Sequence, residues 1–158
     1  MTGQTPDAVP AFDQRVRDLE TTFSTLMRQY RQLMALQAEA LEPGLSAGAF
    51  KAFVIITHTA PVTPSALAEQ LLMDRPQVSR FVRDLDAAGL IERQSDPQDR
   101  RSIWLAPSPD GVARLEAVRS SPAGGGLRRD LAAWDLGDIE NLTGLLNRLI
   151  TDRRRRSG

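Results

Sequence analysis

From Pro64 to Asp110 the chain reads PSALAEQLLMDRPQVSRFVRDLDAAGLIERQSDPQDRRSIWLAPSPD. The stretch divides into a helix, a short turn, a second helix and a hairpin. In the second helix Asp74 is placed as N-cap, Pro76 falls in the first turn, where its missing N–H costs nothing, and Gly89 supplies the stop. Val78, Phe81, Val82 and Leu85 recur at i, i+3, i+4 and i+7, the spacing of one buried face. Arg75, Ser79 and Arg83 then stack on the opposite side, flanked by Gln77 and Arg80. Arg and Gln make bidentate contacts to guanine and adenine edges in the major groove, and Ser reaches either a base or a phosphate. An ordinary amphipathic helix with a solvated basic face has the same pattern, so the neighbouring segments decide.

Upstream, Thr63-Pro64-Ser65 starts a helix whose Ala66, Leu67, Ala68, Leu71 and Leu72 give a short apolar face, leaving Met73-Asp74-Arg75 as the turn. Downstream, Leu90-Ile91-Glu92-Arg93 and Ser102-Ile103-Trp104-Leu105 are β-prone runs joined by a polar loop from Gln94 to Arg101. They predict a hairpin, or wing. No core demands Arg100 and Arg101 at its tip, and a narrow minor groove attracts an inserted Arg. Asp99 is spaced to hold Arg101 by a charge-assisted hydrogen bond. Trp104 is out of phase with Ile103 and Leu105, which puts it on the outer side of the wing. The segment predicts a winged helix-turn-helix whose contacts to double-stranded DNA come from Arg75, Gln77, Ser79, Arg80, Arg83, Arg100 and Arg101.

The run from Leu67 to Gly111 resembles the DNA-binding lobe of the MarR family of bacterial transcriptional regulators, which share an L-A-x-x-L, V-T/S-R-x-V-x-x-L, G-L-I/V-x-R and D-P-x-D-R-R signature. The resemblance covers the central third of the chain, roughly. It implies a homodimer with recognition helices in successive major grooves and wing arginines in the flanking minor grooves. By position Arg101 matches the wing-tip arginine, Asp99 its partner, and Ser79 and Arg80 the recognition-helix pair. It further implies a repressor or activator tuned by a small aromatic or anionic effector near the junction of dimer helices and DNA lobe. Tyr30, Lys51 and His58 are the polar candidates for that pocket, though each is equally suited to the surface or a helix end.

Two departures from the family pattern stand out. After the wing the family has Leu-Thr-Pro-Glu-Gly, where this chain has Pro107-Ser108-Pro109-Asp110-Gly111; Ser108 still suits an N-cap with Pro109 in the first turn, but the Leu contact is lost. Farther on, Pro122-Ala123-Gly124-Gly125-Gly126 interrupts what is usually one long helix. Three glycines cost a helix roughly 3 kcal/mol relative to alanine, and an interior proline about as much again. A kink or short loop is expected.

Composition confines the reading. The 158 residues carry 20 basic and 20 acidic groups, so no overall charge draws the chain to polyanions. Between Asp74 and Arg101 there are six of each, and the arginines must be segregated to the DNA side by geometry. Lys51 is the single lysine. The arginine bias suits bidentate recognition, although a GC-rich genome explains it equally. Without cysteine there are no disulfides, thiolate metal sites or cysteine-based peroxide sensing. With His58 as the lone histidine, no metal cluster or Ser/His arrangement can be assembled around a second one, and glycine-rich phosphate loops are absent. No metal, cofactor or catalytic residue is expected. No run approaches a membrane span, and Met1 to Pro10 lack the features of a signal peptide, so the expected compartment is the cytoplasm.

The remaining segments read as dimerisation structure. Phe12, Val16, Leu19, Phe23, Leu26, Tyr30 and Leu33 alternate at spacings of four and three, the seam of a long helix that packs against other helices over most of its length. A second helix over 47–58 carries Phe50, Phe53, Val54 and Ile56, and Leu136, Ile139, Leu142, Leu145, Leu146, Leu149 and Ile150 mark the last, with Asp135 at its N-cap. Arg153 to Arg156 form a basic tail of the kind that is ordinarily solvated and disordered. The predicted architecture is a single domain, 1–158, mainly α with a small β-hairpin wing. It comprises a helical dimerisation region at 11–58 and 127–152, a winged helix-turn-helix lobe at 59–107 and the tail at 153–158. Two other classes fit more poorly: an enzyme or small-molecule-binding protein with no DNA role, whose apolar stripes offer few titratable groups, and a helical module whose winged helix binds protein.

Overall fold

A computed structural model describes residues 8–95, 103–121, 124 and 126–157. The chain divides into two compact units, 1–124 and 125–158. In the first, a long helix α1 (Ala8–Leu41) leads to α2 (Ala47–Thr59), α3 (Pro64–Leu71), α4 (Arg75–Ala87), a hairpin of β1 (Ile91–Ser95) and β2 (Ile103–Pro107), and α5 (Pro109–Ser120). The second holds the short α6 (Gly126–Asp130) and α7 (Leu136–Ser157).

The core lies where α2, α3, α4, the root of the hairpin and α5 meet. Phe50, Phe53 and Ile56 from α2 are fully buried there with Leu67, Val78, Leu85, Leu90, Leu105 and Leu115. Each of the helices α2, α3, α4 and α5 starts on a side-chain cap, which satisfies an N–H that the helix itself cannot. Ser46 Oγ accepts from Ala49 N–H at 3.1 Å, and Thr63 Oγ1 accepts from Ala66 N–H at 3.2 Å. The stripe of α1 is less covered than its periodicity predicts. Ala38 and Leu41 are buried at its C-terminal end, but Phe12, Leu19, Leu26 and Tyr30 are exposed in the single chain.

The turn between α3 and α4 corrects the sequence reading. Leu72 is no part of an apolar helical face: it adopts a left-handed conformation, φ 56° and ψ 43°, with its side chain 92% exposed. Its N–H and that of Met73 bond back to the last carbonyls of α3, a closure that needs a left-handed residue at this place. The turn is therefore Leu72 to Asp74, and Arg75 opens α4.

The first strand runs farther toward the tip than predicted, to Ser95, and the second farther toward the root, to Pro107. They are antiparallel with Ile91 opposite Pro107, Arg93 opposite Leu105 and Ser95 opposite Ile103, so Gln94 and Ser95 belong to the ladder rather than to the loop. Leu90 stays outside it because its N–H is used by Leu85 O, 2.9 Å away, at the end of α4. Leu105 forms a second pairing with Val62, with N–H to O distances of 3.1 and 2.8 Å, which ties the wing root to the segment before α3.

Ser108 joins these pieces. Its Oγ accepts from Gly111 N–H at 2.9 Å as the N-cap of α5 and donates to Gly89 O at 2.6 Å, so one hydroxyl fastens the start of α5 to the end of α4. Gly111 is required by contact, since a Cβ there would lie 2.4 Å from Leu90 O. The connection after α5 is broken rather than a continuous helix. Ser121 is an extended cap, and the buried Gln37 Nε2 donates to Gly124 O at 2.9 Å, holding that turn on α1.

In the second unit the carbonyl of Asp135 accepts from Asp138 and Ile139 N–H at 3.1 and 3.2 Å, starting α7. Leu136, Leu145, Leu149 and Ile150 on this helix are exposed. Arg153 to Arg156 are solvated but not a disordered tail: they form the last turns of α7, where cations suit the negative end of the helix dipole. Among the described residues no helix is long and apolar enough to cross a membrane.

Candidate nucleic-acid interface

The helix α4 is built to show one face. Asp74 Oδ1 accepts from Gln77 N–H at 2.8 Å, Pro76 sits in the first turn, and the helix stops where Gly89 takes a positive φ of 69°. Val78, Val82 and Leu85 are buried, and Phe81, half-buried, lays its ring where α2 has Gly48; a Cβ on that glycine would come within 2.5 Å of the ring. Anchored on that side, the helix turns Arg75, Gln77, Ser79, Arg80 and Arg83 to solvent.

Charge is sorted by pairing as well as by facing. Asp74 is occupied with the helix start, and Asp86 Oδ2 lies 2.8 Å from Arg93 Nε on β1. Arg93 is thus held against the end of α4, whereas charge segregation predicted it on one side with the other arginines. Spacing along the chain gave no signal for this pair, because it joins a helix end to a strand. Among the described residues, Arg75, Arg80 and Arg83 have neither an ion pair nor a hydrogen-bond partner on the protein, and an anionic ligand meets them unneutralised. The predicted wing-tip residues Asp99, Arg100 and Arg101 lie outside the described residues. Tyr30, Lys51 and His58 are all exposed, Tyr30 on α1 and the other two on α2, and no hydrogen bond or ion pair among the described residues gathers them into a site.

Comparison with known proteins places this geometry. Residues 45–103 match the model of the MarR family. The multiple antibiotic resistance protein MarR of Salmonella typhimurium is 31% identical over 101 residues, 62% of this chain and 70% of that protein. The chain belongs to the MarR family. A protein named as a transcriptional regulator for the hcr operon of Thauera aromatica is 32% identical over 109 residues, 67% of this chain; the match spans 63% of that protein, just under two thirds of its length. Among solved structures, FabT of Streptococcus pneumoniae in complex with DNA shares the fold at a TM-score of 0.73, with 16% identity over 89% of this chain and 98% of FabT. The family is one of transcriptional regulators with a winged helix, and the present chain is a mainly helical member with a two-stranded wing.

Proposed function

We propose that this MarR-family chain is a sequence-specific DNA-binding transcriptional regulator, a repressor acting as a homodimer in the cytoplasm, and that it is a binding protein rather than an enzyme. The observation that carries the reading is the exposed, unneutralised row on α4. Arg75, Ser79, Arg80 and Arg83, with Gln77 at its flank, are presented by a helix whose other face is locked into the core, an arrangement suited to the major groove. FabT, of the same fold, was solved bound to DNA, which supports the assignment. Arg100 and Arg101 are assigned to the minor groove, with Asp99 supporting Arg101, by their match to the family signature.

The test separates base readout from phosphate contact. Arg80→Ala and Ser79→Ala are each expected to weaken binding to a selected operator, with up to about 1–3 kcal/mol lost for a bidentate base contact, while leaving binding to random duplex nearly unchanged. Equal losses on both duplexes would mean that this face touches only the backbone.

Control by a small aromatic or anionic effector is the further part of the reading and rests on family membership alone. An effector that lowers operator affinity tenfold must bind the free protein tighter than the DNA complex by the same factor, about 1.4 kcal/mol.

A further inference from the structure

We propose that Arg114 is a positioning residue for DNA readout, fastening the C-terminal end of the recognition helix α4 to the C-terminal end of the long helix α1. The inference rests on the DNA-binding reading above.

Arg114 lies in the second turn of α5 with its side chain 30% exposed. Its Nη1 donates to Ala88 O at 3.2 Å and lies 3.7 Å from Asp110 Oδ2, four residues earlier on the same helix. Its Nη2 donates to Leu41 O and to Glu42 Oε2. Ala88 caps α4, and Leu41 is the last residue of α1. Two helix ends therefore turn terminal carbonyls, and the negative poles of their dipoles, on one guanidinium. Among the described residues this is the side chain whose hydrogen bonds join α1 to α4.

A planar fork is needed for this task. Its two terminal nitrogens point to different helix ends at once, whereas a lysine ammonium is a point charge that satisfies one of them well. Arg93 holds the same end of α4 through Asp86, but from the wing, so it fixes the helix to the hairpin and not to α1. Ser108, through Gly89 O, ties the end of α4 to α5 and likewise not to α1, so loss of Arg114 is expected to leave α4 packed on the core but shifted slightly relative to α1. Base contacts tolerate misplacement of only about half an ångström, while phosphate contacts by long side chains tolerate more. Loss of the clamp must fall on specific binding first.

The test compares a duplex selected by the wild-type chain from a random pool with a random duplex of the same length, for wild type, Arg114→Met, Arg114→Lys and Glu42→Gln, each below its unfolding transition. Arg114→Met is expected to lose at least tenfold on the selected duplex and less than twofold on the random one. Arg114→Lys recovers part of the loss, and Glu42→Gln, which keeps both carbonyl bonds, loses less than Arg114→Met. Should Arg114→Met fail to fold, Arg114→Lys carries the test, with a threefold drop in the selected-to-random ratio expected. Ratios within twofold of wild type in every folded variant would overturn the proposal and leave Arg114 a purely structural tie. A wild-type chain that enriches no duplex would overturn the DNA-binding reading itself, and with it this proposal.

Discussion

Leu72 stands in the left-handed region at φ 56°, where a side chain with a Cβ costs about 1–2 kcal/mol and glycine costs little. Its side chain is almost fully in solvent, so no burial offsets that strain in the single chain. Leu72→Gly is expected to stabilise the protein by about 0.5–1 kcal/mol, after the extra chain entropy of glycine is subtracted. Thermal unfolding should then shift upward by roughly 1–4 °C. A lower midpoint would mean that the side chain is held by a contact made only in the assembled protein. The sequence could not reveal this residue, because a leucine next to Leu71 fits an apolar face as well as it fits a strained turn. The arginines of α4 were legible for the opposite reason: helical spacing, an acidic cap and a first-turn proline all fix the same face.

At the level of elements, the caps of α3, α4 and α5 and the glycine stop of α4 were readable, while the end of α3 and the strand ends were not. Asp74, Thr63 and Ser108 each cap the helix that follows, as their residue types predict. The strands extend past their β-prone runs because pairing across the hairpin, not propensity, sets where a ladder ends. Val62 went unseen, since its partner Leu105 is distant in the chain. A close join between elements is the approach of α5, at Gly111, to Leu90 between α4 and β1. Gly111→Ala would drive a methyl group into the carbonyl of Leu90, and the expected cost is about 1–3 kcal/mol, read as a lower urea midpoint with unchanged m. An unchanged midpoint would show that α5 can back away from Leu90 freely.

For the whole molecule, the unmet apolar surface is the dominant fact. Phe12 is 68% exposed on α1 and Leu149 is 53% exposed on α7, each within a row of exposed apolar side chains that a solitary chain would leave in water. The heptad seam of α1 was legible from its spacing, but periodicity cannot say whether the partner is the same chain or another. A second copy is the expected partner. Sedimentation over a dilution series should show a dimer at micromolar concentration, and a persistent monomer would remove the basis for paired half-sites. A dimer of this kind spaces its two recognition helices for half-sites about one helical turn, roughly 10 bp, apart. The formal net charge of zero makes DNA binding depend on the local row of arginines, so the central claim can be tested by one titration. The full chain is titrated with duplex fragments of its own upstream intergenic region and with random duplex, at about 50 and 200 mM salt. An upstream fragment is expected to bind more tightly than random duplex at both concentrations, with affinity for both falling steeply as salt rises. Binding that is indifferent to sequence and to salt, or no binding at all, would contradict the central claim.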